Sequence, residues 1–357
     1  MKKQKLVTKS QKELLKKLKI IRVNDEEYVI QLKTVGDKYL EKLIEIAKDA
    51  QILFLRIEPE DIPRLAAKHI ELNADEFNTY FYCDTIAEAP IDLLESYGIQ
   101  SILVDARNNP NARKMGIQTY KSIYRQLSTL VSDIPKTLEE KERFKEVYQR
   151  LAMYIEYDHE AIEENSAYAV ENEDTSRNLE NAVLRNKAVC TGFAETLKQT
   201  LSLVDVESTI VYSLEDEEGN SHAYNLVKIQ GKWYNADLTW DYKRLRRGSI
   251  PRFCLKSDKE FIHYGGKNEV MHIPEDITTP KCDTSLEVFG KKEEKKTLLK
   301  RLYALVDTKR EKTEKQPKAL PEGNTTTQFR DAIKVQAMQK EKTETPKQRL
   351  EEKDGTK

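Results

Sequence analysis

Cysteine is scarce in this chain. Four of 357 residues are cysteine (Cys83, Cys190, Cys254 and Cys282), and no two stand in a C-x-x-C pair. That spacing excludes a zinc knuckle and a thioredoxin-type dithiol, and a chain this long with so few thiols is not a disulfide framework. Net charge is close to nil at −1, which argues against a general nucleic-acid binder, whose surface carries a basic surplus. No apolar run approaches transmembrane length. Near the start, Leu14 to Ile21 is interrupted by Lys16, Lys17 and Lys19, so it forms no signal-peptide apolar core. The expected location is the cytoplasm; export by a route without a cleaved signal is compatible with the sequence, and no membrane partner is expected. No phosphate loop follows the predicted strands and no calcium-loop pattern is present, so no metal and no organic cofactor are expected.

The near-zero charge hides an asymmetry. From Lys291 onward there are 19 basic against 12 acidic residues, about +7, which leaves about −8 for residues 1–290. The chain is long enough for two domains and a tail. Residues 1–20 read as a charged helix with a Leu14, Leu15, Leu18 stripe. Over 21–110, strands at 28–32, 52–57, 80–83 and 101–105 alternate with helical patterns, which predicts a small α/β or α+β domain of unknown role. Asp84 and Asp105 follow strands, where solvated strand ends are the plain expectation. Asn108-Asn-Pro-Asn111 is the boundary loop. A second domain covers 111–290, with its motifs in 137–270. Thr137-Leu-Glu-Glu140 is a capping-box pattern that opens a helix with Phe144, Val147, Tyr148, Leu151 and Ile155 as its stripe. Residues 160–182 are acidic and polar and read as a loop. The tail, 291–357, is too poor in apolar residues to build a core. Its two islands, Leu298–Val306 and Phe329–Ile333, are candidate partner segments.

Three residues carry the chemistry. Cys190 stands in Ala188-Val-Cys190-Thr-Gly192-Phe-Ala-Glu-Thr-Leu197, a short loop running into a helix with the thiol in its first turn. Phe193, Ala194, Leu197 and Leu201 recur at helical spacing and give that helix a buried face. His222 opens the alternating run Ser221-His222-Ala-Tyr224-Asn-Leu226-Val-Lys-Ile229, and Asp237 closes Lys232-Trp233-Tyr234-Asn-Ala-Asp237. Gln230-Gly231 between the runs is a tight-turn signal, so antiparallel neighbours bring the histidine and the aspartate together. A thiolate attacks an amide carbonyl, an imidazole takes the thiol proton and returns it to the leaving amine, and a carboxylate orients the ring. Asp241 competes with Asp237 for the orienting role. Cys83, Cys254 and Cys282 read as buried hydrophobes, and His69, His159, His263 and His272 as surface or structural residues.

At these residues the chain resembles the transglutaminase-like superfamily, a papain-like group of Cys–His–Asp proteins that includes crosslinking enzymes, peptidases and amidases. Val189-Cys190-Thr-Gly192-Phe193-Ala194 looks like the nucleophile segment, Ser221-His222-Ala223-Tyr224-Asn225 like the histidine strand, and Trp233-Tyr-Asn-Ala-Asp237-Leu-Thr-Trp240-Asp241 like the aspartate strand and the bend after it. Tyr148–Asp158 and Phe253–Asp258 with His263 resemble the flanking segments. One position departs: Thr191 follows the cysteine where many transglutaminases carry an aromatic. The resemblance implies an α+β core in which the nucleophile helix packs on an antiparallel sheet, with Cys190, His222 and Asp237 as the triad and the Cys190 backbone N–H helping to hold the oxyanion.

The expected function is a thiol enzyme acting on an amide of a protein or peptide through a Cys190 thioester, either hydrolysed by water or transferred to an amine. The rival is a non-catalytic protein-binding scaffold built on the same fold. Trp240, Tyr224 and Glu217 are the candidate substrate contacts; plain packing is the competing reading for the aromatics and a solvated turn for Glu217. That residue lies in Glu215-Asp-Glu-Glu-Gly-Asn220, whose four carboxylates would draw a cationic side chain toward the site. The run Lys243-Arg244-Leu-Arg246-Arg247 reads as a solvated turn.

Overall fold

The computed structural model describes residues 20–22, 28–49, 53–68, 78–104, 114–162, 177–213, 222–262 and 279–289. The predicted N-terminal helix, Asp105 and the loop at 108–111, His69, His263, His272, Glu217 with its acidic loop, and the tail islands lie outside those residues. Among the described residues no helix is long and apolar enough to cross a membrane.

The first half is a six-stranded sheet in simple sequence order: β1 (Ile20–Arg22), β2 (Tyr28–Gln31), β3 (Leu53–Ile57), β4 (Asn78–Cys83), β5 (Ser101–Val104) and β6 (Met115–Gly116). β2 to β5 run parallel and the two edge strands antiparallel. The helices α1 (Asp37–Asp49), α2 (Ile62–Ala67) and α3 (Ile91–Ser96) connect the parallel strands, as parallel pairing requires a crossover. Strand alternation sorts the side chains. Ile30, Leu55, Ile57, Phe81, Cys83, Ile102 and Val104 form one core face, while Val29, Tyr80 and Tyr82 share the other. The core face continues into α4 (Ile117–Val131) through Tyr120, Ile123 and Leu127, and into α6 (Leu179–Leu184) through Leu179 and Val183. The sheet and the helices behind the cysteine therefore share one apolar cluster.

The second half is helical on one side and antiparallel on the other. Between α4 and α6 lie α5 (Glu140–Tyr154) and β7 (Glu156–Tyr157); after α6 come β8 (Lys187–Ala188), α7 (Cys190–Ser202), β9 (Ser208–Tyr212), β10 (Ala223–Ile229), β11 (Lys232–Ala236), α8 (Leu238–Arg246) and α9 (Asp258–Ile262). The sheet order is β11-β10-β9, all antiparallel. This α+β arrangement, a cysteine-bearing helix on an antiparallel sheet, is the one the motifs implied. Residues 243–250 fall in a separate compact unit from 1–242 and 251–288. Within it, Lys243, Arg244 and Arg246 sit in the last turn of α8, and the bend follows at Gly248 (φ 69°). The basic run is thus largely a helix C-terminus, where cations oppose the macrodipole.

Three local expectations are corrected. The capping box at Thr137 does not form: α5 starts at Glu140 with Glu139 as its N-cap and no side-chain cap, and Glu140 and Glu142 supply acidic charge to the first turn. Part of the segment expected as a loop to residue 182 is α6, capped by Asn178, whose side chain accepts from the backbone of Asn181; six residues are too few for periodicity to reveal. Finally, α7 is not buried on one face only. Thr191 to Leu201 are all buried, including Glu195, Lys198 and Gln199. The polar side of the helix meets the end of β4 instead of water. Lys198 Nζ pairs with Asp84 at 2.9 Å, and Gln199 donates to the Asp84 carbonyl and accepts from the Ile86 backbone. Asp84, expected as a solvated strand end, is thus a tie between the first sheet and the cysteine helix.

Candidate active site

The thiol is placed by what precedes it. β7 and β8 pair in parallel with Tyr157 opposite Ala188, so the chain enters α7 as an extended strand. Val189 keeps extended geometry and has no side-chain group to cap the helix, so no side-chain bond occupies the first turn. Its carbonyl accepts from Phe193 N–H at 3.1 Å, and Cys190 begins the helix with first-turn N–H groups open to a ligand. Cys190 itself is partly exposed while its three counterparts are buried.

His222 and Asp237 come from the two ends of the hairpin. Gln230 (φ 50°) and Gly231 (φ 79°) both take left-handed backbone, the mark of a type I′ two-residue turn. That turn fixes Ile229 opposite Lys232 and, at the far end, Asn225 opposite Ala236. Asp237 directly follows β11 and His222 directly precedes β10, so the open end of the hairpin brings the two together. Both residues are then locked. His222 exchanges backbone bonds with Ser213, donating to its Oγ at 2.8 Å and accepting from its N–H at 2.9 Å. Asp237 is fully enclosed: Oδ1 accepts from Trp240 N–H at 3.1 Å and so caps α8, while Oδ2 meets His222 Nε2 at 2.5 Å. A single carboxylate both starts a helix and orients the ring. With Nε2 committed, Nδ1 is the nitrogen left to face Cys190, and the ring and the thiol favour each other's charged forms. Asn225 Nδ2 donates to the Ala194 carbonyl at 2.9 Å and fastens the sheet to the cysteine helix.

The electrostatics follow from this packing. Burial opposes charge on Cys190, but the hydrogen bond and charge of His222 and the backbone N–H of Ala223 outweigh it, and the thiol pKa is lowered. For His222, burial opposes the imidazolium, yet the charge and hydrogen bond of Asp237, with help from Cys190, raise its pKa to about 10. Both shifts favour the thiolate–imidazolium form of the pair over two neutral groups. Two of the other thiols go the opposite way: burial pushes Cys254 well up and Cys282 to about 12. Asp241, the rival orienter, makes no bond to His222 and accepts instead from Tyr148, Arg252 and Phe253.

Aromatic rings wall the site. Trp240 stacks on the His222 imidazole at 4.7 Å and 9°, with Phe253 edge-on behind it at 4.7 Å. Trp240 thus covers the His222 ring, a contact the sequence left undecided between packing and groove. Tyr224 is buried against Phe261 at 4.8 Å in a cluster with Val211 and Leu226; it belongs to the core behind the sheet, with the edge of Trp233 beside it. Tyr157, not singled out from sequence, packs on Phe193, three residues along from Cys190. Burial and the nearby Cys190 push its hydroxyl up to about 12, so it stays a neutral donor beside the thiol. Its signal was its place in the extended segment before the cysteine. His159 is exposed, against Tyr157. Among the described residues no group of three or more His, Cys, Asp or Glu is set to hold a metal ion.

A helix carrying a thiol packs on an antiparallel sheet whose hairpin ends in a histidine and an aspartate, the arrangement that the transglutaminase-like resemblance implies. The chain is similar over about a third of its length to three solved structures. One is a TGase (25% identity, 34% of this chain and 32% of that one, TM-score 0.28). The others are a candidate cysteine protease from Cytophaga hutchinsonii (16%, 34% and 38%, TM-score 0.22) and a candidate protease from Parabacteroides distasonis (10%, 34% and 26%, TM-score 0.23). The match spans well under half of each of those chains. No protein-family model matches the sequence, and no curated protein matches it as a relative.

Proposed function

We propose that this protein is a thiol enzyme that attacks an amide of a protein or peptide through Cys190. The observation that carries the reading is the His222 ring nitrogen 2.5 Å from a fully enclosed carboxylate, in a ring whose charge lowers the Cys190 pKa. In this reading the Cys190 thiolate adds to the carbonyl carbon. The oxyanion forms at the start of α7, where the Cys190 N–H lacks an intrahelical partner. The His222 imidazolium gives its proton to the departing nitrogen, and the amine leaves as the thioester forms. A water or a second amine, deprotonated by the now neutral His222, attacks the thioester and releases Cys190. Water gives a peptidase or amidase, and an incoming lysine gives a crosslink. Asp237 holds the ring with Nε2 turned away from the thiol and supports its positive charge.

The deciding experiment mixes the protein with a glutamine-bearing protein and a labelled primary amine, and follows label incorporation, ammonia release and chain cleavage against Cys190→Ala. Incorporation identifies a transferase; cleavage or ammonia release without incorporation identifies a hydrolase. Loss of none of these activities in Cys190→Ala refutes the proposal.

A further inference from the structure

Behind the triad lies a carboxylate that the proposed chemistry does not use. Asp241 is completely buried. Its Oδ1 accepts from the Arg252 backbone N–H at 2.7 Å, and its Oδ2 accepts from the Phe253 N–H and the Tyr148 hydroxyl, each at 3.0 Å. The segment it grips is the one that holds the site. The Phe253 carbonyl accepts from the Asp237 N–H at 2.9 Å, and the Phe253 ring backs Trp240, which stacks on His222. Asp241 also donates its own N–H to the Asp237 carbonyl. Asp237 is therefore bound at its N–H through the segment Asp241 anchors, and at its carbonyl by Asp241 directly.

We infer that Asp241 is a positioning residue for the proposed thiol site, fixing the 252–253 segment so that Asp237 and Trp240 are both held against His222. The inference rests on the Cys190 reading above. Every partner of this carboxylate is a donor, so the place needs an acceptor at both oxygens. A neutral amide has one acceptor oxygen and would turn N–H against N–H on the other side. Protonation does the same on one oxygen.

The surroundings make that protonation reachable. Burial raises the Asp241 pKa most; the bonds from Arg252, Tyr148 and Phe253 pull it down, Asp237 adds to the rise, and it settles at about 7. The titratable groups facing it are Tyr148 on α5, Asp237 at the start of α8 and the Cys254 thiol. Arg252 reaches it through its backbone. The phenol and the thiol are both pushed up and stay neutral. Acidification through neutrality therefore loosens the grip on Phe253 while His222 is still charged.

The test is the rate of Cys190 alkylation by iodoacetamide from pH 4 to 9, on wild type, Asp241→Asn and Tyr148→Phe, with folding followed by circular dichroism. Wild type should react well below the ordinary thiol range and show a second inflection near pH 7. Asp241→Asn should lose that inflection: its rate should meet the wild type's at pH 6, where Asp241 is itself protonated, and stay below it above pH 8. Tyr148→Phe removes one donor and should move the inflection upward without removing it. A folded Asp241→Asn protein with the wild-type profile overturns the inference and leaves the thiol reading standing. If Asp241→Asn does not fold, an unmoved inflection in Tyr148→Phe overturns it equally. A wild type that alkylates as an ordinary thiol refutes the thiol reading itself.

Discussion

Replacing His222 by alanine should cost Cys190 its reactivity by a calculable route. Two of the three influences that lower the thiol pKa come from His222, namely its hydrogen bond and its charge; the third is the Ala223 N–H. Burial is the largest influence of all and acts upward. Without the imidazolium, one backbone hydrogen bond is left against desolvation, and the pKa should rise above the ordinary thiol range. An ordinary thiol near ~8.5 is about 3% ionised at pH 7, and below its pKa each further unit removes tenfold of the thiolate. His222→Ala should therefore slow alkylation at pH 6.5 by at least about tenfold. The other thiols give an internal scale. Cys282, held at about 12 against its ordinary 9.0, carries on the order of 10³-fold less thiolate than an unperturbed cysteine at the same pH. The assay is iodoacetamide labelling followed by peptide mass spectrometry, reading all four cysteines in one sample. In the wild type nearly all label should sit on Cys190. Equal labelling of Cys190 in wild type and His222→Ala at pH 6.5 would refute the ion-pair argument.

Other consequences follow from the same geometry. Asp237→Asn should cut kcat by about 10³-fold or more while leaving KM nearly unchanged, because the ring loses both its orienter and the charge that holds it protonated; a change confined to KM would contradict the assignment. The pH profile of kcat/KM should fall at low pH as Cys190 takes up a proton, carry the Asp241 inflection near pH 7, and fall again near pH 10, where His222 loses the charge that Asp237 holds on it. A single alkaline limb near pH 7 would exclude the paired state. Gly231→Ala should destabilise the fold by roughly 1 kcal/mol in urea titration although nothing lies within 4 Å of the added Cβ, because the cost is left-handed backbone alone; no loss would mean that the turn relaxes to another type.

What could be read from sequence was what depends on neighbours in the chain. The Cys190, His222 and Asp237 motifs are local, and Gln230-Gly231 declares its turn type through two residues, which is enough to set the register that joins them. The parallel strands were legible as short apolar runs between helical patterns. The short edge strands β1 and β6 were not, since pairing of two or three residues leaves no period. The complete burial of α7 was hidden for a different reason. Lys198 and Gln199 look like a solvated face until the end of β4, more than a hundred residues earlier, supplies Asp84 and the Ile86 backbone as partners. Asp241 illustrates the same limit. Sequence could pose it only as a rival to Asp237, because its partners Tyr148 and Phe253 lie far apart in the chain and meet only in the folded site. Trp240 likewise declared its type but not that its plane would lie on the imidazole.

The central claim is that Cys190 becomes acylated. Acid-quenched intact-mass and peptide analysis of the full-length protein, taken within the first turnover with a glutamine-bearing protein or peptide, reads this directly. The account predicts a substrate-derived adduct on Cys190 that hydroxylamine removes, absent from Cys190→Ala and slow to form in His222→Ala. Turnover of the substrate by Cys190→Ala at the wild-type rate, with no adduct on Cys190 in either protein, would contradict it.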